Sequence, residues 1–165
     1  MSLTYKAGCI VEAFRKGEVG AIAHQANCMN TMNSGVAKAI RAQFPAVYEA
    51  DCQTVKGDPD KLGTLTFTPA HQDLIDFGGC EIAKVGLIFN LYGQYNYGRE
   101  KGVIYTDLKA LGNAISHMKI FLDVMGIKRI GLPKLGAGLG GAKWEDVESC
   151  IITELAGLDV TIYSK

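Results

Sequence analysis

A glycine-rich stretch, residues 129–144, constrains the fold of this chain more than any other segment. Its sequence, RIGLPKLGAGLGGAKW, joins a short apolar run ended by Pro133 to a group of glycines and a polar turn that begins a helix. Glycines at this density let backbone N–H groups approach a ligand closely, and the following helix directs its positive end there. The pattern predicts a strand, an anion-binding loop and a helix, with phosphate as the common anion. A flexible surface loop is the alternative, but such loops are usually rich in Ser and Asn, whereas this one is apolar between its glycines.

Length and composition indicate a single soluble domain over residues 1–165. A chain of 165 residues can bury a full hydrophobic core, and its apolar fraction of 48% and charged fraction of 21% are ordinary for a globular protein. Seventeen basic residues balance seventeen acidic ones. This balance argues against stable nucleic-acid binding and against binding to anionic membranes.

The cysteines and the amino-terminal segment predict a cytoplasmic protein. No apolar run approaches the roughly 20 residues that span a bilayer, and the opening sequence MSLTYKAG lacks the apolar core of a signal peptide. The five cysteines are scattered without a C-x-x-C pair, so we expect free thiols in a reducing compartment. No cluster of His, Cys and Asp has the spacing of metal ligands, so we expect neither a metal nor a cofactor.

Short apolar or alternating segments take turns with helical patterns along the chain. Strands are predicted at 3–6, 19–23, 65–68, 82–89, 130–132 and 160–163. Helices are predicted at 35–47, at 107–125 and at 144–155. Pro45 should kink or restart the first of these helices, Thr106 should cap the second and Gly126 should end it. This order predicts a three-layer α/β/α sandwich with a mixed, mostly parallel central sheet.

Three loops follow apolar strands and are candidates for ligand binding, at 24–34, 90–101 and 133–143. Ligands of open α/β sheets bind at the carboxyl ends of the strands. Gly136, Gly138 and Gly141 form G-x-G-x-x-G, but the next predicted strand ends at Tyr163 without the acidic residue of a dinucleotide-binding unit. No Gly-Lys-Ser/Thr follows the glycines, which excludes a P-loop.

Three segments together resemble a known family. They are 22–40 (IAHQANCMNTMNSGVAKAI), 89–97 (FNLYGQYNY) and 132–147 (LPKLGAGLGGAKWEDV). The first is similar to the Ala-Asn pair, glycine-containing turn and Val-Ala helix start of macro domains, the ADP-ribose-binding α/β/α modules. The other two resemble N-L-x-x-Q and P-x-(I/L)-G-x-G-L-x-x-x-x-W-x-x-V of one branch. That branch contains the yeast ADP-ribose 1''-phosphate phosphatase and the terminal ADP-ribose protein hydrolase, and the resemblance covers about residues 3–163.

The resemblance implies binding of ADP-ribose and hydrolysis of a distal-ribose derivative, foremost ADP-ribose 1''-phosphate, without a metal or cofactor. A binding module without turnover and a hydrolase acting on ADP-ribosylated macromolecules are the alternatives. Catalysis is expected of His24, which stands two residues ahead of the Ala-Asn pair as in the phosphatase, and of Asn27. The residues expected to bind ADP-ribose are Cys9, Ile10, Asn27, Asn33, Ser34, Gly35, Val36, Leu91, Tyr92, Gly93, Gln94, Leu135, Gly136, Ala137, Gly138, Leu139 and Gly140.

The chain departs from the family pattern in three places. Cys9 stands where many macro domains have an Asp that binds the adenine amino group, and Asn33-Ser34-Gly35 replaces a triple glycine. The hydrolase relative uses a Lys in the middle segment and an Asp in the glycine-rich loop. The matching segments here, 91–94 and 139–141, contain neither, which disfavours a lysyl-linked mechanism.

Several side chains have two interpretations. His24 is either a general acid or base for a distal phosphate or ribose, or a strand-end histidine bonded to nearby backbone. Asn27 either holds the distal ribose or forms an Asx turn. The tyrosines of the middle loop either wall the ligand or form a packing lid: Tyr92, Tyr95 and Tyr97. Arg99 and Lys101 either reach a terminal phosphate or remain solvated.

Overall fold

A computed structural model describes residues 2–73 and 75–165. The strands are β1 (Ser2–Ala7), β2 (Ala21–Asn27), β3 (Leu65–His71), β4 (Ile75–Phe77), β5 (Cys80–Ile82), β6 (Val85–Gln94), β7 (Arg129–Leu132) and β8 (Asp159–Ser164). The helices are α1 (Ile10–Arg15), α2 (Gly35–Gln43), α3 (Pro45–Cys52), α4 (Leu108–Met125) and α5 (Trp144–Glu154). A short 3-10 turn lies at Pro59–Lys61.

Six of the strands form one sheet in the order β1-β8-β7-β2-β6-β3. Every neighbouring pair in it is parallel except β3 and β6, which are antiparallel. Strands β4 and β5 form a separate hairpin. The mixed, mostly parallel sheet is therefore confirmed.

Two hydrophobic cores lie on opposite faces of this sheet, because successive side chains of a strand point to opposite sides. Ala21 and Ala23 of β2 join a core with α4 and α5, whereas Ile22 between them joins a core with α1, α2 and α3. The α4 residues buried in the first core repeat every three or four positions: Leu111, Ile115, Met118 and Leu122. A sheet covered by helices on both faces is the predicted three-layer sandwich.

Two strands are longer at their carboxyl ends than their sequences suggested. β2 continues beyond residue 23 through Asn27, and β6 continues beyond residue 89 through Gln94. The two extensions pair with each other, with His24 opposite Asn90. Polar side chains in these extensions form hydrogen bonds with each other across the sheet. The prediction of loops there was wrong because it relied on the polarity of the sequence alone. At its other end β6 begins at Val85, because the residues before it belong to the hairpin.

The helix boundaries follow local backbone chemistry. Pro45 separates α2 from α3 by occupying the first turn of α3, and Gly126 ends α4 with a left-handed φ of 69°. The predicted Thr106 cap is wrong, because Asp107 caps α4 by accepting the Ala110 N–H at 3.0 Å. Within the described residues, none of the helices combines the length and apolar character needed to cross a bilayer.

Candidate functional site

A cavity of about 550 Å³ opens at the carboxyl ends of β2, β6 and β7. The residues that line it are 24–27, 31, 33–37, 94, 97–99, 133–136 and 138–140. It lies where ligands bind in open α/β sheets, and its volume is that of a small-molecule site. The structure thus brings the three predicted loops together around one cavity.

The electrostatics of this cavity favour an anion. Its lining includes no Asp or Glu, and its two permanently charged side chains, Arg99 and Lys134, are both cationic. Among the described residues, neither cation lies within ion-pair distance of a carboxylate. The Lys134 ammonium instead lies 6.0 Å from the ring centroid of Trp144. A negatively charged ligand would therefore meet only favourable formal charges.

Backbone N–H groups add to this field from two sides of the cavity. At the start of α2, the N–H groups of Gly35, Val36 and Ala37 donate to no acceptor in the described part of the chain. The Ser34 side chain does not cap them. Across the cavity, the N–H groups of Gly138 and Leu139 also have no acceptor among residues 2–73 and 75–165. Donors of this kind, together with the helix dipole, are suited to phosphate oxygens.

The glycines of the loop serve two different purposes. A Cβ atom at Gly136, where φ is 68°, would lie 2.8 Å from Thr106 Oγ1. A Cβ atom at Gly140 would overlap the same oxygen and the Gly136 carbonyl. These two glycines therefore allow close packing inside the protein. A Cβ atom at Gly138 would have no atom within 4 Å, so this glycine keeps space open at the cavity.

Asn27 lies at the end of β2, next to a register shift that separates it from Ala26. Its Nδ2 donates to Thr31 Oγ1 at 2.8 Å, and its Oδ1 accepts the Met29 N–H at 2.9 Å. The bond from the Met29 N–H forms the predicted Asx turn, and the two bonds together orient the amide at the wall of the cavity. The structural and the functional interpretations of Asn27 are therefore compatible.

His24 lies within β2 and is 2% exposed. Its Nε2 lies 2.5 Å from Asn90 Oδ1, while Asn90 Nδ2 donates to the Val47 carbonyl at 3.2 Å and to Thr66 Oγ1 at 3.0 Å. A carbonyl oxygen can only accept, so Asn90 must present its own oxygen to His24, and Nε2 must carry a proton. Nδ1 is buried without a hydrogen-bond partner among the described residues.

Burial lowers the pKa of His24, and its hydrogen bond to Asn90 only partly opposes this. The prediction that the strand ends at residue 23 and that His24 begins a loop is wrong, because β2 continues for three residues beyond His24. The surroundings also favour a neutral ring, whereas a general acid must carry a proton on both nitrogens.

The structure separates the predicted binding residues into two groups. Those that line the cavity are Asn27, Asn33, Ser34, Gly35, Val36, Gln94, Leu135, Gly136, Gly138, Leu139 and Gly140. Those outside the lining are Cys9, Ile10, Leu91, Tyr92, Gly93 and Ala137.

The middle segment places one of its four predicted binding residues in the lining of the cavity. Leu91 belongs to the core with α4, and the fully buried Tyr92 donates its hydroxyl to Asp51 Oδ1 at 2.7 Å. Burial raises the pKa of both Tyr92 and Asp51. Gly93 packs against the side chain of Gln25. Only Gln94, the last residue of β6, reaches the cavity from this part of the strand.

Comparison with known sequences gives relatives over nearly the whole chain, although no family model matches it. An uncharacterised 17.5 kDa protein from the tk-vs intergenic region of Enterobacteria phage T4 is 32% identical over 168 residues, covering 98% of this chain and 96% of the phage protein. The ADP-ribose 1''-phosphate phosphatase of Debaryomyces hansenii is 27% identical over 161 residues, with 90% and 89% covered. The DNA ADP-ribosyl glycohydrolase of Mycobacterium tuberculosis is 23% identical over 164 residues, and the chain spans 42% of its length.

Solved structures show the same fold. The macrodomain of Mycobacterium tuberculosis DarG superposes with a TM-score of 0.70 at 19% identity, covering 99% of this chain and 98% of that one. A macrodomain protein from Streptomyces coelicolor gives a TM-score of 0.65 at 21% identity, with 99% of each chain covered. The chain belongs to the macro domain family.

The cavity of this macro domain also includes residues that the sequence did not reveal. Gln25, Thr31 and Lys134 line the cavity. Gln25 and Thr31 lie in a segment that was predicted to be a loop, and Lys134 lies between Pro133 and the glycines, where no role was assigned to it. Tyr97, 54% exposed, and Arg99 line the cavity, whereas Tyr95 donates to the Gly57 carbonyl at 2.5 Å. Extending the predicted strand past residue 23 would have placed Gln25 near the carboxyl end of β2, where the cavity lies. No group of three or more potential metal ligands occurs in the part of the chain that the structure describes.

Proposed function

We propose that this macro domain binds ADP-ribose in the cavity and hydrolyses ADP-ribose 1''-phosphate to ADP-ribose and phosphate. The observation that carries the proposal is the cavity itself, in which both permanent charges are positive and two backbone segments present unused N–H donors. A doubly charged diphosphate with a further phosphate monoester is the kind of ligand that such a site favours. The similarity to the Debaryomyces hansenii phosphatase supports the same substrate.

In this proposal the diphosphate lies between the start of α2 and the glycine-rich loop. The N–H groups of Gly35 and Val36 bind it from one side, and those of Gly138 and Leu139 bind it from the other. Backbone donors hold phosphate without a long flexible side chain, so little conformational entropy is lost on binding. Arg99 and Lys134 add long-range attraction at the mouth of the cavity.

The proposed reaction is attack of water on the terminal phosphorus. The new P–O bond forms to water, the bond to the ribose 1''-oxygen breaks, and the proton from water passes to that leaving oxygen. Asn27 is the proposed catalytic residue that contacts the ribose or the water through its oriented amide. His24 remains a catalytic candidate as a neutral hydrogen-bonding group in the cavity wall. Cationic groups and N–H donors stabilise the charge that develops on the phosphoryl oxygens.

Removal of ADP-ribose from a modified macromolecule is the second candidate. The similarity to the Mycobacterium tuberculosis DNA ADP-ribosyl glycohydrolase favours it. Two exposed side chains at the cavity, Tyr97 and Leu139, offer a surface for the attached macromolecule. The absence of any Asp or Glu from the lining favours the phosphatase, because no carboxylate is placed to assist the cleavage of a glycosidic bond.

We further propose that the protein acts in the cytoplasm. All five cysteines are free thiols, and Cys9, Cys52 and Cys80 are exposed. Exposed thiols persist where the compartment is reducing, which supports this location.

The proposed function is tested by two measurements on the purified chain. Calorimetric titration with ADP-ribose should show one site per chain, with weaker binding of AMP and still weaker binding of ribose, because the diphosphate provides most of the contacts. Phosphate release should then follow addition of ADP-ribose 1''-phosphate. Binding without phosphate release would favour a binding module, and release of ADP-ribose from modified DNA alone would favour the glycohydrolase.

Chelation should affect neither activity nor affinity. In the described residues no set of side chains forms a metal site, and the proposed contacts to phosphate are cations and N–H dipoles. Saturating EDTA should therefore leave ADP-ribose affinity and phosphate release unchanged within error. A loss of turnover that added zinc or magnesium restores would contradict the proposed reaction.

A further inference from the structure

Thr106 lies directly beneath the glycine-rich loop, although it does not line the cavity. The chain before α4 runs beside β6, where Thr106 bridges to Gln94. The Thr106 N–H donates to the Gly140 carbonyl at 3.0 Å, and its hydroxyl donates to the Gly136 carbonyl at 2.9 Å. One residue thus holds the loop at two points, on either side of Gly138.

The direction of these hydrogen bonds is fixed by chemistry. The Gly136 carbonyl can only accept, so the Thr106 hydroxyl proton must point towards it. The oxygen of that hydroxyl is then free to accept, and Gln25 Nε2 donates to it at 2.9 Å. The second proton of the Gln25 amide goes to Gln94 Oε1 at 2.7 Å. A chain of directed bonds therefore joins both walls of the cavity through one side chain of β2.

The positions of two glycines show that the loop backbone packs directly against the Thr106 hydroxyl. A side chain at either Gly136 or Gly140 would collide with Thr106 Oγ1, so both glycines let the backbone lie against that hydroxyl. Between these two anchors, Gly138 and Leu139 line the cavity, and their N–H groups have no acceptor in the part of the chain that the structure describes. Their direction therefore depends on Thr106, a residue that does not line the cavity.

We propose that Thr106, directed by Gln25, is a positioning residue that holds the N–H donors of the glycine-rich loop in the geometry a diphosphate requires. The inference deepens the proposed function and rests on it for the identity of the ligand. Loss of the hydroxyl leaves the Gly136 carbonyl with the Ala142 N–H as its one remaining donor, and it leaves one proton of the Gln25 amide without its acceptor. The loop then samples several arrangements, and binding must first select the correct one.

The experiment compares Thr106→Val, which replaces the hydroxyl by a methyl group, with Thr106→Ser, which keeps the hydroxyl. ADP-ribose affinity should fall on the order of tenfold in Thr106→Val, as expected for one lost buried hydrogen bond, and should return to within about threefold of wild type in Thr106→Ser. Thr68→Val is the matched control, because its buried hydroxyl has no partner among the described residues and lies in β3, away from the cavity. That control should bind as wild type does.

Amide hydrogen exchange distinguishes positioning from general destabilisation and needs no ligand. Exchange should accelerate in Thr106→Val over residues 134–141 and remain at the wild-type rate in β2, β7 and α4. Gln25→Met provides a second route, and it should accelerate exchange in the same segment even if Thr106→Val folds poorly. Wild-type exchange in the loop of both variants would overturn the proposal, and so would wild-type ADP-ribose affinity in Thr106→Val. If the wild-type protein fails to bind ADP-ribose, the proposed function fails, while the exchange result still decides the role of Thr106.

Discussion

Gly138→Val should fold normally and lose ADP-ribose affinity by on the order of 100-fold or more, equivalent to about 2.7 kcal/mol. The residue is exposed at the cavity, and no φ in the left-handed range is found there. A new Cβ atom meets no protein atom within 4 Å, so the fold has room for the valine. The same space is where the proposed diphosphate approaches the Gly138 N–H. The branched side chain would therefore displace the ligand without disturbing the core.

Two further variants make this result specific. Gly138→Ala should weaken binding less than valine does, because its methyl group is smaller. Gly140→Ala should instead lower the thermal midpoint, because its Cβ would overlap Thr106 Oγ1 and the Gly136 carbonyl. The affinity is measured by calorimetry and folding by thermal unfolding. A folded Gly138→Val protein that binds ADP-ribose like wild type would show that the ligand lies elsewhere.

The fold could be predicted from the sequence because its signals are local and repeated. The buried stripe on α4, the break at Pro45 and the left-handed Gly126 are each encoded within a few residues. Alternation of strands and helices then leaves few topologies, since parallel strands need crossover connections. The position of the cavity follows from the same rule about the carboxyl ends of strands.

The inner part of the site could not be predicted in this way, because polar residues there are satisfied by partners distant in sequence. His24 pairs with Asn90, 66 residues away, and Gln25 with Thr106, 81 residues away. A polar run such as HQAN resembles a loop unless these partners are known. Resemblance to a family motif likewise predicted that all of residues 91–94 bind the ligand, although only Gln94, at the carboxyl end of β6, lines the cavity.

The buried histidine has a consequence for stability that can be measured without any ligand. Burial holds the pKa of His24 below its ordinary value of 6.5. Below about pH 6.5 the unfolded chain therefore binds a proton that the folded chain excludes, and the free energy of unfolding falls as the pH falls. The slope should approach 1.4 kcal/mol per pH unit, roughly tenfold in the folding equilibrium, until the lower folded pKa is reached. Above about pH 7 this contribution is constant, because the ring is neutral in both states.

Denaturant unfolding of wild type and His24→Gln between pH 8 and pH 5 tests this expectation. Glutamine cannot titrate, so the unfolding free energy of wild type minus that of His24→Gln should decrease as the pH falls, whatever the sign of that difference at pH 8. The comparison with a variant is needed because Asp51 has the opposite effect on stability. Burial raises its pKa, so on acidification the folded chain binds this proton at a higher pH than the unfolded chain does, and the free energy of unfolding rises. Both proteins contain Asp51, so its effect is largely removed from the difference. His117→Gln, at an exposed position on α4, controls for the loss of any histidine. A pH-independent difference between wild type and His24→Gln would show that His24 is not held neutral, and would restore the protonated imidazole as a general acid in the reaction.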